Sequence, residues 1–196
     1  MVTFPPLAPS SLWWAKFFQS LGNSPDSSLT LEEGIARANA SLPSSRDFAR
    51  YALLDIKGNP VSLSVPLVGG GRRLRNVNAL TELQLSEHGD WRRNHLGALE
   101  ACLGRKPFFR YFEHHIREAY LNPDLILLKD FNFAIFRVIL SFLLGGMQLS
   151  DVVRNKDNTL CRLRGVEISQ LLIPEISAIY PVAEFGSEAL LGFLTL

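Results

Sequence analysis

Hydrophobic and polar positions repeat with different periods along this chain, and the change of period sets its organisation. Residues 12–21 (LWWAKFFQSL) predict a short helix, with Ser10 or Ser11 as its cap. Leu12, Trp13, Phe17 and Leu21 would form its apolar side, leaving Trp14 or Phe18 partly exposed. Residues 22–28 carry turn chemistry, and residues 31–40 (LEEGIARANA) predict a second helix weakened by Gly34. Residues 48–56 (FARYALLDI) read as a strand, and Lys57-Gly58-Asn59-Pro60 as a turn. Val61, Leu63 and Val65 then alternate with Ser62 and Ser64 over a strand at 61–68, which completes a hairpin. Pro66 ends that strand or places it at an edge. The alternation of Leu83 and Leu85 predicts a third strand within 76–86.

From residue 90 the period becomes helical. Asp90 would cap a helix over 91–103, whose stripe is Trp91, His95, Leu99 and Cys102, with Gly104 as its stop. A helix from Pro107 to about residue 121 follows, blocked by Pro123. Asp130 would cap a third helix over 131–144. Residues 150–165 read as a loop, and 167–179 and 187–194 as short helices. The expected fold is α+β: an N-terminal hairpin followed by a predominantly helical C-terminal half. One domain would span 1–196, strand-rich at about 48–86 and helical at about 90–196.

Composition narrows the function classes. Apolar residues make up 47% of the 196 positions, enough for a substantial core. A net charge of +1 argues against indiscriminate binding of nucleic acid or anionic membrane. The charge is unevenly placed: residues 72–117 hold nine basic and five acidic side chains, and residues 166–196 hold four glutamates and no Lys or Arg. Cys102 and Cys161, the two cysteines, stand too far apart in sequence for a disulfide scaffold or zinc ribbon to be read from spacing, and are expected to be reduced and buried. The opening lacks a signal-peptide pattern, and the apolar stretch at 125–147 is interrupted by Lys129, Asp130 and Arg137. A cytoplasmic protein without a membrane span is expected.

Several segments offer chemistry. Gly69, Gly70 and Gly71, followed by Arg72 and Arg73, suit an anion, because glycine backbones allow close approach and guanidinium groups supply forked donors. A plain mobile loop explains the same residues. Asp90, Trp91 and His95 suggest a polar or general-base histidine beside an aromatic, against a helix cap with a packed histidine. His114 and Glu118 are four apart on a helix, but no further metal ligand accompanies them, and no metal site is expected. Asp130 and Asn132 could orient a hydroxyl or an amide, or simply serve the helix start. No motif identifies a cofactor.

In order along the chain, FPPLAPSSLWWAKFF, Arg50 before ALLDIKGNPVSLSVPLV, DWRRNHLGALEACLGRKPFF, LLKDFNFAIFRVILSFLLG and AEFGSEALLGFLTL resemble the WbqC-like family of bacterial proteins. The sequence departs from the family pattern at its opening and in NASLPSSRDFA, just before Arg50. The family takes its name from O-antigen gene clusters. The resemblance therefore implies a transferase-type enzyme, or a degenerate one, in surface-polysaccharide or sugar-modification metabolism. Its ligand would be a nucleotide-sugar or another small anionic metabolite. Arg50, Gly70, Gly71, Arg72, Arg73, Asp90 and Trp91 would bind it, and His95, Asp130 and Asn132 would act on it. The rival reading is a non-catalytic interaction or ligand-binding module, for which a homodimer is one expectation.

Overall fold

The computed structural model describes residues 2–22, 30–42, 44–106 and 109–144. The expectations for Pro107, the loop at 150–165, Cys161, the helices at 167–179 and 187–194 and the acidic tail lie outside the described residues. The architecture is α+β, and the chain divides into two compact units, each with its own packing.

The first unit contains α1 (Ser11–Gly22), α2 (Leu31–Asn39) and the end of α5 (Leu128–Leu144). Ser10 starts α1: its hydroxyl accepts from the Trp13 amide at 3.3 Å. Trp13 stacks on Phe17 with centroids 5.3 Å apart, and Trp14 meets both rings edge-on. Trp13 and Phe17 of the expected stripe are buried, Trp14 is buried with them, and Leu12 is exposed where the stripe placed it inside. The reason is Asn39 of α2, whose side-chain oxygen accepts from the Trp13 indole at 2.8 Å. Its amide donates to the Val2 and Phe4 carbonyls at 2.9 and 3.0 Å. That three-way bond orients α1 so that the adjacent Trp13 and Trp14 both enter the core. Thr30 and Glu33 form a reciprocal capping box at the start of α2.

The second unit holds an antiparallel hairpin, β1 (Arg50–Leu54) and β2 (Pro60–Ser64), followed by α3 (Trp91–Leu103), α4 (Phe109–Leu121) and the first half of α5. Asp55 closes the hairpin turn by accepting from the Asn59 backbone and side-chain amides and from the Lys57 amide, and these bonds hold its carboxyl below the usual carboxylate range. Gly58 takes a positive φ of 83° there. Tyr51, Leu53, Val61 and Leu63 face inward, while Arg50, Ser62 and Ser64 face out.

The third strand expected within 76–86 does not form. The chain instead makes 3-10 turns at Gly71–Arg75 and Val77–Glu82, and only isolated bridges join Leu85 to Leu67 and Gln84 to Leu127. Leu74, Leu80 and Leu83 are buried, and their spacing in multiples of three matches a 3-10 period. Two expected caps also differ. Asp90 precedes α3 without a side-chain cap bond, and α5 begins at Leu128, which places Asp130 inside its first turn. Gly104 ends α3 with a right-handed backbone; a Cβ there would collide with the Glu100 carbonyl, so space rather than φ selects glycine.

Candidate functional site

The site begins at the foot of the hairpin. The bonds Val65 N–H to the Ala49 carbonyl (2.8 Å) and Asp55 N–H to the Asn59 carbonyl (2.9 Å) fix the odd-numbered residues of β1 as the hydrogen-bonded positions. Arg50 and Ser64 therefore form a non-hydrogen-bonded pair, whose side chains come close on the outward face. The Arg50 Nε donates to the Ser64 hydroxyl at 3.3 Å. Just before β1, Ser44 and Asp47 form a capping box around the 3-10 turn Ser45–Phe48, which fixes the backbone at Arg46. Partial burial pushes the Asp47 carboxyl up, and its oxygen is turned to the Ser44 amide.

The second wall is the glycine-rich turn. Gly69 and Gly70 both take positive φ, and Gly70 at φ 79°, ψ 169° occupies a region essentially reserved for glycine. A Cβ on Gly69 would approach Arg73 Nε to 2.8 Å, which shows that the Arg73 side chain lies back over the loop. In the following 3-10 turn, residues three apart eclipse, so Arg72 and Arg75 share a face while Leu74 points into the core.

These two walls enclose a cleft of about 650 Å³. That volume suits a small metabolite. Arg46, Arg50, Arg72 and Arg75 line it, together with serine hydroxyls and Gly70. No carboxylate lines the cleft, and none of the four arginines forms an ion pair among the described residues. Four guanidinium groups around one cavity, without an ion pair among the described residues, create a field that favours an anion. Of the residues singled out from the sequence, Arg50, Gly70, Gly71 and Arg72 come together here; Arg73 does not line the cleft. Arg46 and Arg75 were missed. The readable signals were the S-x-x-D capping box at 44–47 and the three-residue spacing of Arg72 and Arg75.

His95 stands behind this wall, buried and 4% exposed. Its ring packs edge-on against Trp91 and Tyr51 at centroid distances of 5.2 and 5.7 Å. Its Nδ1 lies 3.5 Å from the Tyr120 hydroxyl, which is 2.8 Å from the Tyr51 hydroxyl. The Ser64 backbone, on the outer edge of β2, lies near enough to oppose the effect of burial on the ring. Burial lowers the His95 pKa to about 4, against the weaker opposing effect of Ser64, so the ring is neutral near pH 7. Burial drives both tyrosine hydroxyls upward.

The remaining residues are dispersed. Trp91 is buried in the aromatic cluster, and Asp90 is exposed, 3.9 Å from Arg93. Asp130 is exposed on the first turn of α5, where a negative charge suits the helix dipole. Asn132 is fully buried, and its amide donates to the Pro5 and Phe48 carbonyls at 3.0 and 2.9 Å. None of these four, and not His95, lines the cleft. His114 and His115 both pair with Glu118 at 3.2 Å, and no group of three or more metal-binding side chains occurs among the described residues. No described helix is long and apolar enough to cross a membrane.

Neither the curated proteins nor the solved structures contain a significant match to this chain. A family model, that of the WbqC-like protein family, matches residues 38–165, which include the hairpin, the glycine-rich turn and α3 to α5. The match covers more than half of the sequence, and the chain belongs to the WbqC-like protein family.

Proposed function

We propose that this WbqC-like protein binds a small anionic metabolite of the nucleotide-sugar class in the arginine-lined cleft. It would do so in the cytoplasm, in surface-polysaccharide or sugar-modification metabolism. The observation that carries the reading is the convergence of four guanidinium groups, without a lining carboxylate, on a cavity of metabolite size. Transferase chemistry is the further step suggested by the family context. Beyond arginine, the polar side chains at the cleft are serines, with no His, Cys, Asp or Glu among the described residues that line it. That favours ligand binding as the primary role, with Arg50 and Arg72 as its main contacts. His95 is a positioning residue in this reading, because it does not line the cleft and packs against Tyr51 of the hairpin.

A thermal-shift screen of the full chain against nucleotide-sugars and related anionic donors tests the reading. Ligand at about a hundred times Kd stabilises the native state by about 2.7 kcal/mol, an easily read rise in Tm. Arg50→Ala and Arg72→Ala should each reduce that rise measurably. Unchanged melting across the panel, or full retention of the rise in both variants, would refute the assignment.

A further inference from the structure

The four arginines are arranged as two pairs on two separate segments. Arg46 and Arg50 flank the end of one 3-10 turn and the start of β1. Arg72 and Arg75 project together from the other 3-10 turn. Leu67, Gly70 and Gly71 line the cleft beside the second pair, and Ser44 and Ser45 beside the first. Each guanidinium presents a planar fork of donors that matches two oxygens of a tetrahedral anion. A monophosphate offers one such centre, which one pair is sufficient to hold. Two pairs on opposite segments match two linked phosphoryl centres.

The geometry points to a diphosphate group as the anchor of the ligand, one phosphoryl held by Arg46 and Arg50 and the other by Arg72 and Arg75. This assignment rests on the anion-binding reading of the cleft. It adds that the recognised unit is a phosphoanhydride rather than a single phosphate or a carboxylate. The rest of the ligand then occupies the remaining volume. Arg73 has no part in the clamp, since its side chain lies over Gly69.

The test is isothermal titration calorimetry of the full chain, without magnesium, using inorganic phosphate, inorganic pyrophosphate and citrate as probes. Citrate resembles pyrophosphate in charge but not in the spacing of its oxygens. Pyrophosphate should bind at least about tenfold tighter than either of the others, as expected for forked charge-assisted contacts at two centres. The double variants Arg46→Ala/Arg50→Ala and Arg72→Ala/Arg75→Ala should each bring pyrophosphate down to the level of phosphate. All four side chains are exposed, and circular dichroism checks that the variants fold. The single changes Arg50→Gln and Arg72→Gln should give intermediate losses. Equal affinity for phosphate and pyrophosphate, equal affinity for citrate and pyrophosphate, or indifference to the loss of one pair overturns the two-centre clamp while leaving an anion site. Failure of all three probes, with no nucleotide-sugar shift, overturns the anion site itself.

Discussion

Arg92 provides the sharpest test of how the second unit is held together. It follows Trp91 at the start of α3, yet its side chain is only 12% exposed. Nη1 donates to the Tyr120 carbonyl at 2.7 Å and the Asn122 carbonyl at 3.4 Å, and Nη2 to the Leu125 carbonyl at 3.2 Å. One cation thus satisfies the C-terminal end of α4 and the chain leading to α5. Its plane also lies 4.9 Å from the Trp91 ring centre. Arg92→Met keeps the stem and removes every donor. The two shorter carbonyl bonds are charge-assisted and contribute about 1.5 kcal/mol each at the low end. The cation–π contact adds about 0.5 kcal/mol. The ion pair with Glu87 adds little, because that carboxylate is 65% exposed. The expected loss is therefore about 3–4 kcal/mol, a fall in Tm of roughly 6–15 °C for a chain of this size. Arg92→Lys, which preserves charge but not the fork, should lose about half of that. Urea denaturation followed by circular dichroism measures all three proteins, with Glu87→Gln as the control expected within about 0.5 kcal/mol of wild type. If Arg92→Met matched wild type, or Glu87→Gln cost as much, the clamp would not be carried by the backbone bonds.

Three other outcomes follow from the same geometry. Gly70→Ala forces a Cβ into a glycine-only backbone region and should cost about 1–3 kcal/mol, read from the urea midpoint; no loss would mean that the turn adopts another conformation. His95 titrates at about 4 in the fold and near 6.5 when unfolded, so the unfolded chain binds more protons between those values. Its contribution is complete above pH 6.5, falls as pH drops toward 4 and amounts to about 3–4 kcal/mol at most. Denaturation at pH 7, 5 and 4 should show that slope reduced in His95→Phe; identical slopes would place the acid sensitivity elsewhere. Asn132→Leu leaves the buried Pro5 and Phe48 carbonyls without their donor and should destabilise by about 2–4 kcal/mol, while the folded variant keeps wild-type anion affinity. A stable variant that loses anion binding would instead make Asn132 a ligand contact.

The local elements were legible from neighbouring residues alone. Alternation over Val61–Ser64 gave a strand, turn chemistry at 57–60 gave the hairpin, and the stripe through Trp91, His95 and Leu99 gave α3 at its observed bounds. Those signals are periodic and short in range, so neighbouring residues suffice to read them. The glycine-rich turn with its arginines was likewise visible as a candidate for anion binding, and Arg50 through the family resemblance. Tertiary structure decided what those elements face. Leu83 and Leu85 alternate like a strand, yet 3-10 turns occupy the preceding residues and leave only isolated bridges. Trp14 is buried because Asn39, 25 positions later, fixes the rotation of α1 through Trp13. His95 and Asn132 were read as site candidates, and the fold sets the His95 ring beside Tyr51 and Tyr120 and the Asn132 amide on the Pro5 and Phe48 carbonyls. A polar side chain has the same sequence appearance whether it meets a ligand or a distant carbonyl. Only the folded backbone supplies that carbonyl, and only packing of the two 3-10 turns beside the hairpin brings Arg46, Arg50, Arg72 and Arg75 to one cleft.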